Sequence, residues 1–327
     1  MAVYFLNLKT FGRSTRSSAV SAAAYRSGER IRDERSGKIY DHSGRQDVMH
    51  KEIVLPSRFA DNDISWARDR YSLWNSAELA ETRKNARVAR EYLVALPAEL
   101  SPVQRLGLVR GFSAELANRY GFAVDLAVHE PRHFPGSDPR NFHAHMLATT
   151  REVTMEGLGA KTTLEMNDSR RHGLGLGPSI NELFHVRERW ASVTNQALLE
   201  AHVAARIDHR SLAAQGIDRE PRPYIPKAAF EMERHGYRSV LADRIREEYQ
   251  ARLAARIDRS AAIEAAAPES HTEVPSPKPQ TVEDIRREAR ESWLRMRQGQ
   301  IQERGEGAIQ PSPSMRGERT RDDDLSR

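Results

Sequence analysis

The sequence predicts an α+β fold: a central, mainly antiparallel sheet with helices on one face, followed by a helical and partly disordered C-terminal region. Three observations predict it. Strand-like runs at Met1–Lys9, Val48–Pro56 and Arg87–Pro97 are separated by stretches with helical composition and caps. Two further apolar runs, Phe122–His129 and Phe142–Thr150, flank a connection rich in Pro, Gly and Asp, Glu130–Arg140, that reads as a loop. From Lys227 the chain turns highly charged, and a Pro-rich stretch follows at 267–280.

In chain order, the opening strand precedes a helix over Ser17–Arg30, marked by its serine start and alanine density. Tyr25 lies near its end, with Arg13, Arg16, Arg26, Arg30, Arg32 and Arg35 around it in sequence. The strand Val48–Pro56 is closed by proline, and Asp63–Lys84 reads as a helix whose Trp66 and Trp74 belong to core or rim. The strand Arg87–Pro97 has Glu91 at the head of its apolar stretch, and a buried carboxylate needs a partner. Ser101 and Gln104 form a capping-box pattern with Pro102 between them, opening a helix that Gly121 stops.

The two apolar runs that follow carry three histidines. His143 and His145 are two apart on a strand and so face the same way. If the runs pair as an antiparallel hairpin, His129 arrives beside them. Three neutral imidazoles on adjacent strands leave a metal with open positions, as a catalytic site requires.

Beyond the hairpin, 151–179 has weak periodicity; its glycine run, Arg170–Pro178, lacks the Gly-Lys-Ser/Thr of a nucleotide loop and reads as a mobile loop. Asn181–Ala205 reads as a long helix, followed by a turn and short helix over Arg206–Ile217. The expected domains are 1–222, a charged helical extension at 223–266, the linker at 267–280, and an exposed helix with a disordered tail at 281–327.

Composition bounds the chemistry. Without cysteine there are no disulfides, and a transition-metal site must use His and carboxylates. No apolar run approaches a membrane span and the first residues lack the basic start of a signal peptide, so a cytoplasmic location is expected. The net charge is +5, but from Ser260 onward 11 Lys and Arg stand against 13 Asp and Glu, so the preceding part carries +7. That surplus accompanies the histidines and suits a polyanionic partner.

A tyrosine hydroxyl, with a pKa near 10, needs a base or positive surroundings to act as a nucleophile, and a divalent metal supplies a Lewis acid for a phosphoryl oxygen. Tyrosine attack on a DNA phosphodiester would yield a phosphotyrosyl adduct and a free 3′ hydroxyl. The chain resembles the MobA/MobL (MobQ-type) plasmid mobilisation relaxases of the HUH endonuclease superfamily, and is similar also to the relaxase portion of TraA proteins. The resemblance rests on Met1-Ala-Val-Tyr-Phe-Leu6 with Ala24-Tyr25, Val48–Pro56, Glu91–Leu100, His129, Asn141–Leu147 and Ile207–Ile217, and covers about residues 1–220. It implies the palm-like sheet of that superfamily, with Tyr25 as nucleophile and His129, His143 and His145 as metal ligands. Glu91 is implied as the acidic residue beside the site, orienting a histidine or taking the tyrosine proton. Asp208, His209 and Arg210 match a shared motif for which helix packing is the expectation.

The resemblance further implies nicking and rejoining of one strand at an origin of transfer during conjugative mobilisation, with a 5′-phosphotyrosyl intermediate. The partners implied are single-stranded DNA at that origin, relaxosome accessory proteins and a type IV secretion coupling protein. DNA contacts are expected among Arg13, Arg16, Arg26, Arg83, Lys84, Arg87 and Arg140. Imidazole ligands suit several divalent transition metals, whereas the resemblance implies Mg2+ or Mn2+. No helicase motif is present, so strand separation is expected to come from another protein. Three alternatives stand at this point: a rolling-circle replication initiator with the same chemistry, a non-catalytic DNA-binding accessory, and a zinc hydrolase that uses water as its nucleophile. The first normally places its tyrosine after the His-x-His motif, the intact set of Tyr25, Glu91 and three histidines argues against the second, and the third gives Tyr25 and the basic helix no purpose.

Overall fold

The computed structural model describes residues 2–15, 17–131 and 137–266. Arg16, the expected linker at 267–280 and the expected helix and tail at 281–327 lie outside the described residues. In order, the elements are β1 (Leu6–Gly12), α1 (Ala19–Ser27), β2 (Arg30–Arg32), β3 (Ile39–Asp41), β4 (Val48–Val54), α2 (Ser65–Arg68), α3 (Arg70–Leu79), β5 (Arg87–Ala95), α4 (Pro102–Tyr120), β6 (Val124–His129), β7 (His143–Thr149), β8 (Arg151–Val153), β9 (Leu158–Lys161), α5 (Asp168–Gly173), α6 (Ser179–Glu200), α7 (Lys227–Arg234) and α8 (Val240–Ala266).

Five strands form the central sheet in the order β1-β5-β7-β6-β4, every neighbouring pair antiparallel. The α+β class and the antiparallel hairpin of β6 and β7 are therefore as the sequence predicts. Alternation divides each strand between two cores. Tyr92 and Val94, Leu126 and Val128, Ala144 and Met146 face one side, where Phe112 and Leu116 of α4 and Trp190 of α6 cover them. The other side carries Ala89 and Leu147, packed under Val20 and Ala23 of α1 and Leu73 and Trp74 of α3.

Helix cover is thus not confined to one face. Small residues let α1 settle close to the sheet: Ala19, Ala22, Ala23 and Ala24 are all buried. Its first turn is closed by Ser18, which accepts from Ser21 N, and by buried Glu78, whose Oε1 accepts from Ala19 N at 2.7 Å. The capping box of α4 forms as read, Ser101 accepting from Gln104 N and Gln104 Oε1 from Ser101 N.

Three expectations are corrected, and one hairpin is new. The helix expected over Asp63–Lys84 is two helices, because Asp69 is extended and accepts from Ser72 N to cap α3. The glycine run read as a loop begins inside α5, which extends to Gly173, and the weakly periodic stretch before it holds the β8–β9 hairpin, where Arg151 and Lys161, opposite one another, both pair with buried Glu81. Arg206–Ile217 forms turns without a helix, docked on α6 by Asn195, whose side chain bonds both N and O of Ile207 at 2.8 Å. The β2–β3 hairpin was not foreseen: three-residue strands give too short a pattern to read. The chain divides into two compact units at Pro221/Arg222. In the second, α7 and α8 are joined through Gly236, with Arg246 pairing with Glu233 at 2.6 Å.

Candidate metal centre and nucleophile

The hairpin register sets His129 directly opposite His143, with Ala127 opposite His145. Their rings meet with centroids 5.2 Å apart for His129–His143, 4.8 Å for His129–His145 and 5.3 Å for His143–His145. One nitrogen from each histidine lies within 4.8 Å of the others. Nitrogens sharing one ion at about 2.1 Å stand roughly 3–3.5 Å apart, so small ring movements bring the three to a common centre.

Each imidazole has one nitrogen committed to an acceptor, which fixes the other as the lone-pair donor. His145 Nδ1 donates to Glu91 Oε1 at 2.6 Å and His143 Nδ1 to the Asn141 carbonyl at 3.0 Å, leaving both Nε2 atoms. His129 Nε2 donates to the Arg26 carbonyl at 2.7 Å, leaving Nδ1, which Arg45 Nη2 faces at 3.3 Å. Burial, reinforced by His145, pushes the His129 pKa down to about 3. Burial also lowers that of His143. Both histidines are therefore neutral at physiological pH, the form that binds metal. Three imidazoles of fixed orientation, those of His129 and His143 neutral, fit a divalent cation.

Glu91 is buried beside this group, bonded to His145 and to Arg26 Nε. Burial alone would raise its pKa, but the hydrogen bonds from His145 and Arg26 and the Arg26 charge outweigh it and bring it to about 2. So weak a base is suited to orienting His145 rather than collecting a proton.

The end of α1 joins the tyrosine to this centre. A helix leaves its last carbonyls without intrahelical partners, and here the site's own groups satisfy them. Arg45 Nη1 donates to Tyr25 O at 2.6 Å, His129 Nε2 to Arg26 O and Lys51 Nζ to Ser27 O at 3.1 Å. Gly28 closes the helix at φ +63°, where a Cβ would stand 3.2 Å from Val48 Cγ2 and 3.4 Å from Arg45 Cβ. Glycine thus serves twice, by allowing the left-handed turn and by letting β4 and the loop before it approach. The Tyr25 side chain is 42% exposed, its ring edge-on to His42 at 5.2 Å.

The structure brings Tyr25, Glu91 and the three histidines to one place, and it disperses the expected basic residues. Arg13 is turned inward onto the Glu78 and Glu81 carbonyls and the Glu78 carboxylate, and Arg26 onto Glu91. Arg83 and Lys84 are exposed between α3 and β5. Arg87 is half-exposed beside Glu165, and Arg140 pairs with Asp138 at the rim of a cavity adjoining His143. That cavity, about 520 Å3, is lined by Phe5, Leu93, Phe142 and Asn141. The sequence reading missed Arg45 and Asp47. The usable signal was positional: they immediately precede β4, which pairs Val48 with His129.

A His-Ala-His strand in an antiparallel sheet, a third histidine on its hairpin partner and a tyrosine at the end of a helix on the same face define the HUH class. Within it the chain belongs to the MobA/MobL family, whose model matches residues 17–235. It is 35% identical over 253 residues to mobilization protein MobL of Acidithiobacillus ferridurans, covering 72% of this chain and 64% of that protein. It is 33% identical to the 43 kDa relaxation protein of Salmonella typhimurium, covering 67% of this chain and 57% of that protein. The chain thus spans less than two thirds of these relatives' lengths. Among solved structures, one described as the molecular basis of vancomycin resistance transfer in Staphylococcus aureus superposes with a TM-score of 0.51 at 28% identity, covering 64% of this chain and all of that one.

Proposed function

We propose that this chain is a metal-dependent DNA relaxase that nicks one strand at a plasmid origin of transfer and rejoins it during conjugative mobilisation. The observation that carries this reading is the tie between Tyr25 and the histidines through the last carbonyls of α1. Tyr25 Oη attacks the phosphorus, the P–O3′ bond breaks, and the Oη proton ends on the released 3′ oxygen; the 5′ phosphate stays on the tyrosine. Attack by a 3′ hydroxyl reverses the step, since the phosphodiester bond energy is retained. A divalent metal, Mg2+ or Mn2+ in this reading, supplies charge stabilisation at the non-bridging phosphoryl oxygens when held by His129, His143 and His145. Glu91 holds His145 in its ligating orientation.

The cavity beside His143 offers Phe5 and Phe142 to unstacked bases; of the expected cations among the described residues, Arg83 and Lys84 are exposed to phosphates, and Arg87 and Arg140 would exchange Glu165 and Asp138 for them. Residues 1–222 constitute the relaxase domain in this reading, supported by the unit boundary one residue earlier, with 223–266 as an extension, 267–280 as a linker and 281–327 as a tail. Accessory proteins of the relaxosome and a type IV coupling protein are the further partners, and the cytoplasm is the site of action. Among the described residues no helix is long and apolar enough to cross a membrane.

The test is to incubate the protein with single-stranded oligonucleotides tiling its plasmid's transfer region and Mg2+ or Mn2+. A denaturation-resistant protein–DNA adduct is expected, absent with chelator and with Tyr25→Phe. An adduct that persists in Tyr25→Phe overturns the nucleophile, and the absence of cleavage across the region overturns the enzyme.

A further inference from the structure

The loop between β3 and β4, residues 42–47, contributes no residue to the chemistry described above, yet it wraps the exposed tyrosine. His42 N donates to Glu29 O and Arg45 N to His42 O, both at 3.1 Å, which fold the loop back onto the end of α1. At its far end Glu130 N donates to Asp47 O at 3.0 Å, so the loop is pinned immediately beyond His129. Between these anchors the Arg45 side chain is largely buried, with 11% of its surface exposed.

Every nitrogen of that guanidinium has a stated partner. Nε and Nη2 form a two-point pair with the Asp47 carboxylate at 2.8 and 2.5 Å, and Nη1 donates to Tyr25 O at 2.6 Å. Nη2 also lies 3.3 Å from His129 Nδ1. The carbon of the guanidinium stands 4.2 Å from the centroid of the Tyr25 ring. Paired with Asp47, the planar fork loses its rotational freedom, as a two-point pair does and an ammonium would not. It then presents a cationic plate to the ring, while His42 meets the ring edge-on at 87°.

We propose that Arg45, held by Asp47, is a positioning residue for the nucleophile: it fixes the Tyr25 ring between its guanidinium and His42 and sets it relative to His129. The inference rests on the reading of Tyr25 as the attacking group. Its basis is geometric. The tyrosine is 42% exposed, and a side chain of that exposure samples several rotamers unless something holds it. Near-attack placement has a steep cost, about 10²-fold in rate for a misplacement of about 1 Å.

The experiment uses the full chain, the cleavable oligonucleotide and Mn2+, and measures three quantities for Arg45→Ala and Arg45→Lys. These are the single-turnover rate of adduct formation, the affinity for the same oligonucleotide in chelator, and the melting temperature. Arg45→Ala is expected to lower the rate by about 10²-fold with affinity unchanged within about twofold, and added methylguanidinium to restore part of the rate. Methylammonium at equal ionic strength is expected to restore none. Arg45→Lys, which keeps the charge without the plate, is expected to stay close to Ala.

A rate within about threefold of the parent protein overturns the proposal. So does a loss of affinity equal to the loss of rate, which would make Arg45 a DNA contact. A lowered melting temperature without rescue by methylguanidinium also overturns it, since a tethered scaffold contact cannot be replaced by a free ion. Tyr25→Phe run alongside separates the two readings: adduct in that control removes the nucleophile itself, whereas a silent control with an unimpaired Arg45→Ala removes only the role of Arg45.

Discussion

His129 and Glu91 show how single groups are set by their surroundings. Both have pKa values held below their unfolded values, one a base kept neutral by burial and one an acid kept ionised by His145 and Arg26. For a depressed pKa the unfolded chain binds the proton first, so stability is present above the unfolded value and lost as pH falls toward the folded one. His129 therefore contributes a loss from about pH 6.5 toward about 3, and Glu91 a second loss from about 4.5 toward about 2. Thermal melts in chelator are expected to fall continuously from pH 7 to 4, and Glu91→Gln to flatten only the lower window. A melting temperature independent of pH between 7 and 5 would sink the account of His129. Among these groups the histidines and the acid were legible in sequence, because a strand's period of two fixes which side chains share a face. Arg45 was not: its partners Asp47, Tyr25 O and His129 come together only through the pairing of β4 with β6, which no local pattern encodes.

At the scale of elements, those with long or capped patterns were readable and those made by tertiary contact were not. The helix α4 announces itself by Ser101, Pro102 and Gln104, and β6 and β7 by their apolar runs around a Pro-rich loop. In contrast, the split between α2 and α3 turns on one capping aspartate, and β2 and β3 pair over three residues each. The placement of α1 over the histidine face also escaped the sequence, since its alanines match any apolar surface; only the sheet opposite selects it. The turn after α1 is the test of this placement. Gly28→Ala adds a methyl at φ +63° against Val48 and Arg45, and a strained backbone residue of this kind costs about 1–3 kcal/mol. The denaturation midpoint is expected to drop accordingly, and adduct formation to drop further than stability alone explains, because the same methyl presses on Arg45. Equal midpoints for the two proteins would show that the loop does not approach as closely as Gly28 indicates.

At the scale of the molecule, the site belongs to the first of two units, the one ending at Pro221. A chain of residues 1–221 is expected to fold, to form the adduct at the parent rate, and to bind single-stranded DNA with an affinity that falls as salt rises. Failure of this fragment to melt cooperatively would place part of the core beyond Pro221. The strand order β1-β5-β7-β6-β4 has one more consequence, for how the protein comes into being. The strand β7 is the last of the five in the sequence and sits at the centre, pairing with β5 on one side and β6 on the other. A nascent chain that has not yet delivered β7 lacks the strand that joins β5 to β6 and two of its three clustered histidines, and it exposes the facing edges of β5 and β6. Synthesis therefore keeps the histidine cluster unassembled until β7 has emerged from the ribosome. The insertion that completes the histidine cluster is the same event that covers the facing edges of β5 and β6.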